Sequence, residues 1–522
     1  ILKLANDYDI IPVCREIYAD VITPITLLRK LSGISSRYYL LESIEGGEKW
    51  GRYSFLGYDP VMRVSCKEGV VTIEKGDEVT TKQTDKPLDV LREIMKDYKA
   101  PRLAGLPPFA GGFVGYFAYA MIGYAEPTLN IKKGMFNDYD MMLFDKVIAY
   151  DHLTQKISVI VNMKTDRVME NYGKAAADIQ NIINIIRTAP APEIPVSSSK
   201  VNFTCNVTQE EYCKLVEKTK EYIIDGDIFQ AVISRQFSTP YEGSLINPYR
   251  VLRTTNPSPY MVYLSIDGEE IMSTSPETLV RLENGRLTTF PVAGSRPRGT
   301  TPEEDKVLEK DLLSDEKELS EHNMLVDLGR NDLGKISNFD SVEVTKYMMI
   351  HRYSKIMHIC SQVEGDIDEM GDVAELFVAS SDGQTSNTDY DSFWAANKPN
   401  AHSYAAYING GAVAWSSEGF PLGESAVERI TNGEIKGIMA DGDKLYTVYG
   451  LKVENGALVV CIDLNGSEYV DSVKAKTGAE LTLFCGDTRY NTTLINSSGE
   501  RNIGTQMDGG IWQQVQGNNI YI

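Results

Sequence analysis

Near residue 366 the sequence changes texture, and one fold cannot account for both sides of that boundary. From residue 366 to 522 there are 22 acidic against 9 basic residues, a net −13, and three of the four tryptophans, Trp394, Trp415 and Trp512. Asn-Gly pairs recur there, beginning at Asn409, Asn432, Asn455 and Asn465, among strand-like runs at 446–453, 458–464 and 480–485. Asn and Gly tolerate positive φ, which a two-residue hairpin turn demands. The tail therefore reads as an antiparallel, hairpin-rich domain.

A second break lies upstream. TAPAPEIPVSSSK, residues 188–200, holds three prolines and three serines and reads as a linker. Before it, 88–98 has the spacing of an amphipathic helix, with Pro87 suited to its first turn, and 146–161 reads as two short strands around a turn. After it, helical spacing runs from Thr208 to Gly226, followed by a strand-like AVISRQF at 231–237 and short strands to Phe290. The expected division is 1–187, a linker at 188–200, 201–368 and 369–522, each part α+β.

At 522 residues, 42% hydrophobic and 24% charged, the chain is long enough for a core in each part. A net charge of −21 argues against a nucleic-acid binder, which needs a basic face, and against a polybasic membrane anchor. No run reaches the roughly 18 apolar residues of a spanning helix, and the first residues lack the basic start of a secretory signal. The seven cysteines are scattered, without a CxxC spacing, and read as buried, reduced thiols.

The residues that carry chemistry fall between Gln230 and His358. Thr301-Pro302-Glu303-Glu304 is a helix start. DEKELSEHNMLVDLGRNDLGK follows at 315–335, with Leu319, Met324, Leu325 and Leu328 suited to one face. Glu318 and Glu321 are three apart, so their carboxylates project from neighbouring positions, as a pair holding Mg²⁺ would. An acidic, solvated helix surface has the same spacing. In FPVAGSRPRG, 290–299, Gly294 permits close approach of a ligand, and Arg296 and Arg298 suit an anionic one; a polar turn has the same composition. In KIMHICSQV, alternation puts Ile356, His358 and Cys360 on one strand face, where a histidine is an acid–base group or a satisfied core residue.

Residues 1–365 resemble component I of anthranilate synthase, a chorismate-utilising enzyme. The resemblance rests on LLES (40–43), GRYSFLG (51–57), GDIFQAVISR (226–235), NPSPYMVYL (256–264), TSPETLV (274–280), FPVAGSRPRG, EHNMLVDLGRNDLGK (321–335) and MHICSQVEG (357–365), in the family's order. It implies an open-sandwich α+β fold and a cytoplasmic, Mg²⁺-dependent lyase. Such a lyase makes anthranilate and pyruvate from chorismate and ammonia, in tryptophan biosynthesis. It implies Glu321 as Mg²⁺ ligand with Glu318 beside it, and His358 in acid–base work next to the chorismate ring. Gln230 stands where water-using relatives carry a Lys base. Ala293 stands where aminodeoxychorismate synthases carry a nucleophilic Lys, and Gly294 and Ser295 match the substrate-contacting segment. Glu42, Ser43, Pro259, Tyr260 and Met261 match a tryptophan feedback site. The resemblance further implies a glutamine amidotransferase partner that delivers ammonia and docks on the first domain.

The family continues past residue 365 with the second half of its catalytic domain, and 366–522 contains none of that half's strings. The expectation is a truncated catalytic domain, with exposed strand edges and apolar faces, and a chain inactive by itself. Residues 470–508, VDSVKAKTGAELTLFCGDTRYNTTLINSSGERNIGTQMD, resemble instead a Cache-type sensor domain of bacterial chemoreceptors, PAS-like and antiparallel. Such domains bind small ligands outside the cytoplasm. Asp487, Arg489 and Tyr446 are polar candidates there, read as scaffolding, and 381–391 is set aside as a Ca²⁺ loop. A natural fusion and a chimera whose tail is a small-ligand sensor both remain open.

Overall fold

The computed structural model describes residues 1–43, 51–129, 131, 134–195, 201–338, 341–353 and 355–367. In the tail it describes 394, 403–409, 412–431, 436–441, 444–453, 456–464, 482–485, 488–492, 494, 500, 501, 503, 505 and 506. The chain divides into two compact units: Ile1–Glu277 with Tyr353–Lys355, and Thr278–Arg352 with Ile356–Ile522.

The first unit is built on two antiparallel sheets. One has the order β1 (Ile10–Tyr18), β10 (Lys156–Lys164), β9 (Lys146–Asp151), β3 (Tyr53–Tyr58), β2 (Arg37–Glu42), β13 (Tyr260–Ile266), β14 (Glu269–Ser275). The other runs β6 (Glu78–Gln83), β5 (Val70–Lys75), β4 (Met62–Lys67), β8 (Tyr139–Phe144), β7 (Gly112–Phe117). Strand alternation assigns the layers. On β2, Tyr38 and Leu40 join the core beneath helices α1 (Pro24–Ser32) and α3 (Val168–Thr188). Tyr39 points the other way and meets Val114, Met142 and Phe144 of the second sheet. Helix α2 (Pro87–Lys96) covers that sheet's far face through Val90, Leu91 and Ile94, so the layers run helix, sheet, sheet, helix. Arg37 ties the sheets together: its Nη2 reaches Asp267 Oδ2 at 2.6 Å and Glu74 Oε2 at 2.5 Å.

The linker does not separate independent folds. The β13–β14 hairpin, from beyond it, completes the sheet started by residues 10–164, with Met261 opposite Glu42 and Ile266 opposite Arg37. Helix α5 (Ile246–Thr255) packs with it, burying Ile246 and Tyr249. Between linker and α5 lie α4 (Gln209–Ile224) and a ribbon of β11 (Thr204–Cys205) and β12 (Phe237–Ser238). The expected strand at 231–237 is a correction: only Phe237 is strand, opposite Cys205 of β11, and just before it the Gln236 carbonyl accepts the Asn206 amide at 3.0 Å.

In the second unit, β19 (Ile356–Asp366) is central to its sheet. On one edge it pairs with β16 (Arg286–Thr289) and β17 (Val292–Pro297), which run as one ribbon broken at Phe290-Pro291. On the other it pairs with β18 (Glu343–Arg352), and β15 (Arg281–Glu283) extends the sheet beyond β16. Helices α6 (Pro302–Leu312) and α7 (Glu316–Gly334) cover one face, meeting Met357, Ile359 and Val363. Thr301 caps α6 as read from sequence. On α7 the buried positions are His322, Val326 and Leu333, whereas Leu328 is exposed, so the buried face lies to one side of the expected stripe.

The tail forms a sheet of order β21 (Ala412–Ser416), β20 (Ser403–Asn409), β24 (Gly456–Asp463), β23 (Lys444–Val453), β22 (Lys436–Asp441), covered by α8 (Glu424–Thr431), and a ribbon of β25 (Thr482–Cys485) and β26 (Thr488–Thr492). Asn409 sits at the hairpin joining β20 and β21 as expected, whereas Asn432, Asn455 and Asn465 lie outside the described residues. Strands β22 and β23 pair antiparallel, with Asp441 opposite Lys444. Tyr446 is core, as read; Asp487 and 381–391 lie outside the described residues. The cysteine reading is corrected in part. All six described thiols are free, but Cys14, Cys205 and Cys213 are exposed, lying on an outer strand and on lightly packed elements. No helix among the described residues is long and apolar enough to cross a membrane.

Candidate functional site

Two polar clusters stand out, one in each unit. In the second unit, β17 and β19 are in register up to Ala293 opposite Ile359. The register slips by one at Gly294 and resumes with Ser295 opposite His358. Gly294 is the bulged residue, with φ of +78°, a conformation only glycine adopts without strain. A Cβ there would lie 3.1 Å from Ile359 Cδ1 and 3.3 Å from Glu318 Oε2. The bulge therefore brings bare backbone against the carboxylate of Glu318. Ala293 is buried and Ser295 is exposed. His358 is half-buried, and burial lowers its pKa; a hydrogen bond to the Gly294 backbone opposes that shift.

Glu318 and Glu321 converge as their spacing predicts. The Lys317 ammonium lies 3.2 Å from Glu318 Oε1 and 3.5 Å from Glu321 Oε2, so both carboxylates reach one cation. Two half-buried carboxylates suit an oxygen-seeking divalent ion. Among the described residues, no set of three or more histidine, cysteine or acidic side chains converges as a metal site.

The helix bearing these carboxylates is fixed by residues the sequence reading missed. Asp315 caps α7, accepting hydrogen bonds from the amides of Lys317 at 3.1 Å and Glu318 at 3.2 Å. Arg296 of β17 donates to Asp315 Oδ2 at 2.8 Å and to Asp311 at 2.6 Å, and with the cap amides it lowers the Asp315 pKa. His322, fully buried, places Nε2 2.7 Å from Ser361 Oγ. Its Nδ1 is buried beside the Ala293 backbone without a well-formed hydrogen bond. Ser361 Oγ also accepts the amide of Met348, a residue at φ +52° where β18 slips register. One hydroxyl thus joins α7, β18 and β19. The signals were present: Asp three residues before Glu318 is a capping pattern, and His322 is three after Leu319 on the buried face.

Arg296 and Arg298, suited on sequence to an anion, are both engaged within the fold. Arg298 binds Asp305 through Nη2 at 2.6 Å, and Asp305 also accepts the Gly299 amide. Acidic residues at helix starts attract nearby guanidinium groups.

In the first unit, Glu42 ends β2 with its side chain 1% exposed. Arg253 grips it from α5, Nε to Oε1 at 2.8 Å and Nη2 to Oε2 at 3.0 Å, and Tyr249 Oη donates to Oε1 at 2.8 Å. Met261 lies directly opposite Glu42, with Tyr260 next to it on β13. Met261 is buried, and Ser43, Pro259 and Tyr260 are half-buried. Ser54 Oγ and His152 Nε2, 2.8 Å apart, sit at the same end of the sheet. Five residues read as one feedback site are thus contiguous at one sheet end. Gln230 is an exposed residue of the first unit, whereas His358, Glu318 and Glu321 belong to the second.

With this fold and this arrangement, the chain belongs to the chorismate binding enzymes, a family that matches residues 37–380. Within that class it is similar to anthranilate synthase component 1. The chain from Acetivibrio thermocellus is 43% identical over 376 residues, covering 70% of this chain and 76% of the relative. That from Aquifex aeolicus is 41% identical over 383 residues, covering 72% and 78%. The crystal structure of anthranilate synthase component I from Streptococcus pneumoniae TIGR4 aligns with a TM-score of 0.54 at 33% identity, over 67% of this chain and 76% of that one. Residues 462–522 match single cache domain 3. Both resemblances read from the sequence hold.

Proposed function

We propose that residues 1–367 carry part of the substrate- and metal-holding machinery of an anthranilate synthase large subunit, and that the chain alone does not complete the reaction. The observation that carries this reading is the convergence of Glu318 and Glu321 on one cation position beside the Gly294 bulge. These carboxylates would hold Mg²⁺, which when bound neutralises and orients a substrate carboxylate. Gly294 and Ser295 offer close backbone and a hydroxyl to the anion. His358, held neutral near pH 7 by burial, serves acid–base work as the enolpyruvyl group departs. Ala293 has no amine to attack the ring, and Gln230 has no base to activate water, which leaves ammonia as nucleophile. The overall change is chorismate plus ammonia to anthranilate, pyruvate and water, with ammonia delivered from glutamine by a partner amidotransferase. Tryptophan binds at Glu42, Ser43, Pro259, Tyr260 and Met261 and inhibits. The family's strings read up to residue 365 do not continue in 366–522, which supports incompleteness. The cache match at 462–522 favours a second reading for the tail, as a small-ligand sensor from an extracytoplasmic context fused to a cytoplasmic enzyme part.

The test is anthranilate fluorescence from the purified full chain with chorismate, ammonium and Mg²⁺. No product above a Glu321→Ala control is expected, together with calorimetric binding of tryptophan. Product above that control would overturn the incompleteness, and a flat tryptophan titration would remove the feedback site.

A further inference from the structure

Glu318, His322, Val326, Gly329 and Leu333 fall on one stripe of α7, the stripe turned to β17 and β19. Most of the contact along it is apolar. Val326 and Leu333 join Leu287 and Val363, and a Cβ at Gly329 would lie 3.1 Å from Thr289 Cγ2. Apolar contact has no direction, so it does not by itself stop the helix from shifting along the sheet. A shift of one residue's rise, about 1.5 Å, would carry Glu318 off the bare backbone at Gly294.

Polar contacts do have direction. Two of them tie α7 to the sheet at partly exposed positions: Arg296 to Asp315 at 2.8 Å, and Tyr347 Oη to Asn323 Oδ1 at 2.5 Å. The enclosed one is His322 Nε2 to Ser361 Oγ at 2.7 Å, with His322 0% and Ser361 2% exposed. Ser361 is itself held from two sides. Its hydroxyl accepts the Met348 amide of β18 at 3.0 Å, and its amide donates to the Pro291 carbonyl at 3.0 Å. With Met348 as donor, the one hydroxyl hydrogen goes to Nε2, and the ring hydrogen sits on Nδ1 against the Ala293 backbone. The imidazole is thus seated between Ser361 and the residue that precedes the bulge.

We infer that His322 is the positioning residue of the carboxylate pair: its bond to Ser361 holds α7 where Glu318, one turn before it, meets Gly294, and where Glu321, its chain neighbour, shares a cation with Glu318. The ring faces the sheet and does not touch the ion. This inference rests on reading Glu318 and Glu321 as a divalent-ion pair.

The experiment titrates Mn²⁺ into the full chain, reading the free ion by electron paramagnetic resonance, with a urea titration of each variant alongside. His322→Leu fills much of the space but cannot bond, and should weaken Mn²⁺ binding about tenfold or more. Ser361→Ala should do the same, and the double variant should lose little further, because both act through one bond. His322→Gln, whose terminal amide reaches the same hydroxyl, should recover most of the affinity. Leu333→Ala, about three turns along the same stripe, should lower the urea midpoint and leave Mn²⁺ binding unchanged. A parent that binds no more Mn²⁺ than its Glu321→Ala control would overturn the carboxylate reading and this inference together. A parent that binds, with His322→Leu and Ser361→Ala binding equally well, would overturn the inference alone. So would additive losses in the double variant, or an equal loss in Leu333→Ala. Should His322→Leu not fold, Ser361→Ala, which removes a single oxygen, carries the same expectation.

Discussion

Gly294 and Arg253 show how much single residues decide here. Alanine at 294 would have to hold φ of +78° and press its methyl against Ile359 and Glu318. Gly294→Ala is expected to cost about 1–3 kcal/mol in a urea titration and to displace the Glu318 carboxylate, weakening Mn²⁺ binding read by electron paramagnetic resonance. Arg253→Gln leaves Glu42 buried with Tyr249 as its remaining partner in the cluster. Removing one side of a buried pair costs roughly 3–5 kcal/mol, and tryptophan affinity measured by calorimetry should fall with it. Arg253→Lys keeps the charge but not the two-point grip, so only part of the affinity should return. Glu42 was legible from the LLES string, but Arg253 was not, because a pair 211 residues apart leaves no local periodicity. Arg296 and Arg298 show a related limit: composition shows a guanidinium but not the carboxylates it reaches, Asp311 and Asp315 for Arg296 and Asp305 for Arg298.

Elements were legible where their ends carry chemistry. The Thr208 and Thr301 caps place α4 and α6 within a residue or two, because a cap is a contact between near neighbours. The stretch at 231–237 misled because β-propensity depends on packing context, which composition does not carry. The β18–β19 pair holds a feature that only register reveals: His351 stands directly opposite His358. Burial lowers both imidazoles, with Lys346 adding to the effect on His351. The sign follows from linkage. Below about pH 6.5 the unfolded chain takes up protons that the folded pair resists, so stability is full above that pH and declines as pH falls. Protonating both would also set like charges across the ladder. The urea midpoint of the second unit should therefore drop between neutral and mildly acidic buffer. His358→Gln should flatten that dependence more than His351→Gln, since His351 is the more exposed of the two.

For the whole molecule, the sequence shows a linker at 188–200, and topology shows what the linker does not do. The first sheet takes two of its seven strands from beyond it. A fragment ending at residue 187 would lose β13, β14 and the Arg253 grip on Glu42. It should self-associate through the β2 edge, as light scattering would detect. One ending at residue 277 keeps these contacts and should melt cooperatively by circular dichroism. Linker composition is local, whereas the sheet is closed by residues that composition assigns elsewhere, so this part of the architecture was not readable.

The same pairing sets a clock on synthesis. Glu42 finds Met261 only after 219 further residues have been made. At about 5–20 residues per second, β2 waits on the order of ten to forty seconds on the ribosome without its neighbour. During that interval Tyr38, Tyr39 and Leu40, buried in the finished protein, belong to an unfinished edge. The nascent chain is thus a client for any chaperone that shields apolar strands, and slower translation upstream of β13 lengthens its exposure.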